Sequence, residues 1–418
     1  MVAQCDKTPR AAMAAQPLIT WLVEQGLEGT SQEALLQGYC DRLVDLGVPL
    51  WRFFLGQRAF HPRFGGIGFQ WTAAEGISSR AFAYEETPRN EWLRSPLFSF
   101  VQNGMSDQRY DLQTGTDYQQ YPLLEDLKAQ GATDYFISGL HFAKVDTENH
   151  QDPNQAPEGV LISWCTDRDG GFSAYEVELM KTAMPYLGLA LKSTANRRMA
   201  ADLLKVYLGR ESGRRVLSGE IQRGSSRQID AVICLFDLKG FTSLAEQIPG
   251  PDLIDMLNDY FGIAVAAIQS HGGNILKFIG DGILTMFDLG SSQLDARAAL
   301  EAAKDLRAQI SQRNSERLAE GLPVADFTLA LHAGEILYGN IGAENRLDFT
   351  VIGPAVNLTA RLSNMHEAVG QNIILSEKVQ KAAGTTDHDL VSLGRYMLRG
   401  VADPIELFTV YVPDEDTA

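Results

Sequence analysis

The sequence has no run approaching the roughly 18 apolar residues that a bilayer-crossing helix needs, and its best apolar stretches, such as residues 231–236, are strand-length. No membrane span is expected. Cysteine is scarce: Cys5, Cys40, Cys165 and Cys234 lie far apart without a CxxC pair, which excludes a zinc cage or a disulfide framework and fits a reducing compartment. Basic residues are short as well. The 36 Lys+Arg against 53 Asp+Glu, a net charge of −17, argue against a duplex-DNA partner, which needs a net basic face, and leave room only for local basic sites. The opening MVAQCDKTPRAAMAAQ lacks the compact apolar core of an export signal, so a soluble cytoplasmic protein is expected. Repeats and low-complexity tracts are also missing. What is present is an ordinary globular composition, 45% hydrophobic and 21% charged, in 418 residues, enough for two or three domains.

Residues 16–46 carry apolar side chains at helical spacing with a Gly-Thr-Ser break at 29–31, so two helices should open the chain. From Pro49 to Cys165 short aromatic and aliphatic runs alternate with Gly, Pro, Asn and Asp, the pattern of a sheet with irregular connections. The polar segment 146–158 reads as a loop. A long helix is expected over 174–208, and the Gly-, Ser- and Arg-rich stretch 210–228 is the expected domain boundary. Beyond Ile229 strands and helices alternate. Residues 274–288 should form a hairpin with Asp281 at its tip, and strands are expected at 229–238, 327–333, 335–340, 349–352, 372–375 and 405–412. The fold class is α+β, with a ferredoxin-like C-terminal core.

Three segments carry chemistry. In LFDLKGFTSL, Asp237 near the end of an apolar strand is followed by Gly240 and a helix start, placing a carboxylate beside free amides; an ordinary helix cap has the same pattern. In KFIGDGILTMF, Asp281 is a turn residue, and beside Asp237 it completes a pair of hard oxygen donors of the kind that holds Mg²⁺ for in-line phosphoryl displacement. In DFTVIGPAVNLTARL, Asn357 and Arg361 stand at i and i+4 and share one helix face, which suits a ribose and a phosphorane or, equally, water.

Together these segments resemble the catalytic domain of class III nucleotidyl cyclases, over residues 229–412. The resemblance implies that Asp237 and Asp281 bind two Mg²⁺ or Mn²⁺ ions per site. It also places Leu238, Lys239, Gly240, Phe241 and Thr242 near the triphosphate. Lys277 and Thr350 fall at the base-reading positions, where a Lys donor and a Thr acceptor suit adenine. Asn357 would orient the ribose, Arg361 would stabilise the transition state, and Arg399 stands where the family has a phosphate-binding lysine. The implied reaction is conversion of ATP to 3′,5′-cyclic AMP and pyrophosphate at sites shared by a homodimer, which pairs through the cyclase domain and the linker helix. Cyclisation of GTP or a pyrimidine nucleotide, or a silent signalling module, are the alternatives.

The preceding half resembles a GAF-type α/β sensor domain, with a small-molecule or protein input of unknown identity. The implied organisation is a helical segment at 1–30, the GAF-like domain at 31–194, a helical linker at 195–228 and the cyclase domain at 229–418. The aromatic series Trp51, Phe53, Phe54, Phe64, Phe69 and Trp71 is expected mainly as core, and His332 as structural.

Overall fold

The computed structural model describes residues 8–61, 64–83, 90–104, 107–142, 159–289, 293–384 and 390–411. The segment 146–158, expected as a loop, lies outside them. The chain divides into two compact units between Leu203 and Leu204.

The first unit opens with α1 (Thr8–Glu28) and α2 (Gln32–Asp45). Ser31 caps α2 by accepting a hydrogen bond from the Ala34 amide, so the expected Gly-Thr-Ser break is where one helix ends and the next is capped. Strands β1 (Arg52–His61), β2 (Phe64–Thr72) and β3 (Gly76–Ala83) follow. Then come α3 (Asn90–Leu93), α4 (Pro96–Gln102), β4 (Asp107–Asp111), α5 (Pro122–Ala129), β5 (Asp134–His141) and β6 (Gly159–Thr166). The long α6 (Ala174–Leu208) has the predicted bounds and contains Pro185. Its start is fixed by a reciprocal cap in which the Ser173 amide donates to Glu176 and the Glu176 amide donates to the Ser173 hydroxyl.

The six strands form one sheet in the order β3-β2-β1-β6-β5-β4. Period-two alternation sends Phe53 and Leu55 of β1 into a core with α1, α2 and α6, while Phe54 packs on the opposite face with α4 and α5, where Trp51, just before the strand, also packs. Phe53, Phe69 and Trp71 are buried core, as expected. The polar sequence of β4, DQRYD, gives no alternation to read, so that strand escapes prediction.

The second unit holds α7 (Arg210–Leu217), β7 (Ser226–Lys239), α8 (Phe241–Ala245), α9 (Gly250–Ser270), β8 (Asn274–Ile279), β9 (Gly282–Asp288) and α10 (Gln293–Ala319). It continues with β10 (Asp326–Ala343), β11 (Arg346–Ile352), α11 (Pro354–Ser363), α12 (His366–Val369), β12 (Ile373–Ser376), α13 (Glu377–Ala383), β13 (Leu390–Tyr396) and β14 (Ile405–Val410). The sheet runs β13-β14-β12-β10-β7-β9-β8, with β11 also on β10. Alternate residues of β7 serve two cores. Val232, Cys234, Phe236 and Leu238 pack with α9 and α10, while Ala231 and Ile233 cluster with Ala355 of α11.

Two expectations need correction. Residues 327–340 form part of one strand, not two, because Gly334 is no turn: a Cβ there would stand 3.2 Å from Ala355 Cβ, so the glycine lets α11 press onto the continuous β10. Strand β13 was not foreseen either; its mixed sequence LVSLGRY is half exposed and lies at the sheet edge.

Candidate active site

Sheet register explains how the two aspartates meet. Asp237 stands opposite Gly282 on the β7–β9 ladder, and Asp281 precedes Gly282 in the two-residue turn that closes the β8–β9 hairpin. Their carboxyl groups share a hydrogen bond, and the Leu238 amide donates to Asp237. Burial, reinforced by the Asp281 carboxylate, pushes Asp237 up to about 6. Two crowded carboxylates are a fitting seat for a divalent cation, whose charge relieves the repulsion between them. Among the described residues no third His, Cys, Asp or Glu completes a larger cluster.

Beyond Asp237 the strand ends at Lys239, and Gly240 caps α8 in a left-handed conformation (φ +73°) that favours glycine. The Leu238 side chain is buried in the core, so only its backbone can face a ligand. Lys239 and Thr242 are exposed, and the Phe241 and Thr242 amides start the helix with no turn behind them.

The residues expected to read the base lie on two strands: Lys277 on β8, four positions before Asp281, and Thr350 on β11. Lys277 of β8 forms an ion pair with Asp348 of β11. Thr350, two residues along β11, is largely buried and stands opposite Gly339. Gly353 (φ +149°) turns the chain into α11, whose Ala355, Thr359 and Leu362 face the core. Asn357 and Arg361 share another face, as their spacing requires. Arg361 Nη1 donates to the Gly400 carbonyl at 3.2 Å, which brings it to the turn that carries the exposed Arg399.

Asp237 pairs with Thr328 of β10, whereas the Gly339 that faces Thr350 pairs with Ser226. The carboxylate pair and Thr350 therefore sit toward opposite ends of the β7–β10 ladder, with Thr328 and Gly339, their respective partners in the register, 11 positions apart on β10. Asp348 is the residue that reading the motifs passed over. Its signal was available: residues 348 and 350 fall on the same face of a strand, so an acid two positions before Thr350 belongs to the same surface.

Residues 225–412 match the family model described as the adenylate and guanylate cyclase catalytic domain. The C-terminal unit is an adenylate/guanylate cyclase domain. A relative of the cyclase domain is the adenylate cyclase of Anabaena cylindrica, 32% identical over 160 residues, a match covering 38% of this chain and 32% of that protein. The chain covers about a third of the length of the curated relatives it matches. Among solved structures, the adenylyl cyclase CyaB from P. aeruginosa is 24% identical with a TM-score of 0.42, covering 46% of this chain and all of that one. The guanylyl cyclase Cya2 is 31% identical with a TM-score of 0.38, covering 45% of this chain and 94% of that one. Similarity thus extends to cyclases named for either purine.

His332 is buried on β10 with Nδ1 2.7 Å from Ser376 Oγ, and burial pushes it down to about 4, so the ring is neutral near pH 7. In the first unit, a cleft of ≈ 90 Å³ is lined by Gln32, Gln57, Arg58, Lys192, Asn196 and Arg198 among others. Its last three named residues belong to α6. No helix among the described residues is long and apolar enough to cross a membrane.

Proposed function

We propose that this chain is an adenylate cyclase that forms 3′,5′-cyclic AMP and pyrophosphate from ATP at sites shared between two copies. One observation carries the reading: Asp237 and Asp281 meet at one end of the sheet ladder, while Thr350 lies toward the other. A two-fold dimer would bring one copy's carboxylates to the other copy's Lys277, Thr350, Asn357 and Arg361, giving two equal sites.

Bound Mg²⁺ or Mn²⁺ would supply Lewis acidity toward the ribose 3′-hydroxyl and charge neutralisation at the β- and γ-phosphates. The chain's own residues do the rest. Asp237 and Asp281 fix where that charge sits. Lys277 donates to adenine N1 and Thr350 accepts from the exocyclic amine, which orients the base. Asn357 holds the ribose so that O3′ faces the α-phosphorus, and Arg361 donates to the α-phosphate oxygens as charge gathers there. Arg399, on the turn that Arg361 touches, places a second guanidinium where the departing pyrophosphate needs one.

Purified protein assayed with ATP, GTP, CTP and UTP in Mg²⁺ and in Mn²⁺ tests the reading. Cyclic AMP should dominate, and Lys277→Glu should lower the ATP:GTP ratio of kcat/KM by about tenfold or more, since a reversed donor and acceptor is worth a charged hydrogen bond. Equal turnover of GTP by the wild type would favour the guanylate reading. No cyclic product from any nucleotide would leave a silent module.

We also assign the first unit, with its helix-flanked antiparallel sheet, a GAF-like sensing role. Its cleft is supported as the input site by the presence of Lys192, Asn196 and Arg198 on the same helix that leads toward the cyclase domain. Removing residues 1–203 should change basal cyclase activity; identical activity and ligand response in the truncated protein would remove that role.

A further inference from the structure

Lys277 extends from an edge strand on a flexible four-carbon stem. The register of β8 slips between Ile275 and Lys277, a bulge that leaves Ile275 and Leu276 both buried and re-aims the next side chain. Strands β8 and β11 are not hydrogen-bonded neighbours, yet the Lys277 ammonium meets the Asp348 carboxylate across the gap. The two side chains are 32% and 53% exposed, and pairs this wet contribute little to stability. Stability therefore does not explain the pair. Its position does, because Asp348 lies on β11 two residues before Thr350 and on the same face.

We propose that Asp348 is the positioning residue for base recognition: it holds the Lys277 ammonium beside Thr350 so that donor and acceptor are in place before the nucleotide arrives. This rests on the adenine reading of Lys277 and Thr350. An ammonium has three donors, so Lys277 keeps one on Asp348 and offers another to adenine N1. The carboxylate has a second effect. It cancels the lysine charge, so that the base end of the site receives a neutral ring and does not compete with Arg361 and Arg399 for the triphosphate. Without Asp348 the lysine would spend its donors on water or phosphate, and ordering it would be charged against base binding.

The test compares Asp348→Asn, Asp348→Glu, Lys277→Gln and the Asp348→Asn/Lys277→Gln pair in the full-length protein, using kcat/KM for ATP and GTP. Asp348→Asn should lower the ATP:GTP ratio about tenfold, chiefly through KM for ATP, while Asp348→Glu restores most of it. The double variant should match Lys277→Gln alone, because Asp348 acts only through that lysine. Thermal melting checks folding, and the exposed Asp348 should leave the midpoint within a degree or two. If Asp348→Asn keeps the wild-type ratio while Lys277→Gln lowers it, the positioning role is wrong and the base reading stands. An unaltered ratio in Lys277→Gln itself overturns both. Should Asp348→Asn melt early, binding of a non-cyclisable ATP analogue below the transition decides the matter, and unweakened affinity refutes the role.

Discussion

Replacing Asp237 with alanine should reduce cyclase turnover by at least about a thousandfold, whichever metal is supplied, because in the proposed reaction the Asp237–Asp281 pair holds the cations at the phosphate end of the site. The conservative variant Asp237→Asn should be equally inactive, since an amide keeps the shape but loses the charge. In metal-free protein it should also have an effect of opposite sign on stability. The folded-state value of Asp237, about 6, lies above the ordinary 3.8, so folding favours its protonated form. Below pH 4 both states are protonated and the group is neutral to stability. Between 4 and 6 the penalty grows as pH rises, and above 6 it is complete. The Asp237→Asn protein in EDTA should therefore melt higher than wild type at pH 7.5, by ~2–4 °C for a solvent-screened effect near 1 kcal/mol, and the gain should vanish near pH 4. Saturating Mn²⁺ should close the gap by stabilising only the wild type. A lower melting point for Asp237→Asn at pH 7.5 would show that the two carboxylates do not repel.

Arg361→Ala should be nearly as damaging by a different route. Its guanidinium is tethered by a carbonyl at Gly400, so it is held in place before substrate binds. In the proposed reaction its partner is charge that develops on the α-phosphate, so kcat should fall by about 10²–10³ with little change in KM. Arg361→Lys should recover little, because one ammonium cannot both keep the Gly400 contact and reach the phosphate with a fork of donors. Steady-state kinetics with ATP check this, and a large rise in KM with kcat intact would make Arg361 a binding residue only.

Much of this site was legible in the sequence because its parts are local. The tip position of Asp281 follows from Gly-Asp-Gly between two apolar runs, and the shared face of Asn357 and Arg361 from a spacing of four. Helix α6 was legible to its ends because Ser173 and Glu176 form a cap and an apolar period follows. What could not be read depends on contacts between distant segments. Gly334 looks like a strand break until α11 is seen to pack on it, and nothing within DFTVIG says that Asp348 reaches Lys277, which lies 71 positions earlier. The separation of Asp237 from Thr350 is likewise a property of register. It emerges only when β10 is known to be one strand pairing with β7 along its length.

That separation is the central claim, and mixing two dead proteins tests it most directly. Asp237→Ala and Arg361→Ala should each be inactive as pure preparations. Unfolded together and refolded, or co-expressed under two tags, half the dimers should be hybrids in which one of two sites holds both an intact carboxylate pair and an intact Arg361. Activity should return to about a quarter of wild type. If the purified hybrid stays as inactive as its parents, each site is built within one chain and the shared-site account is wrong.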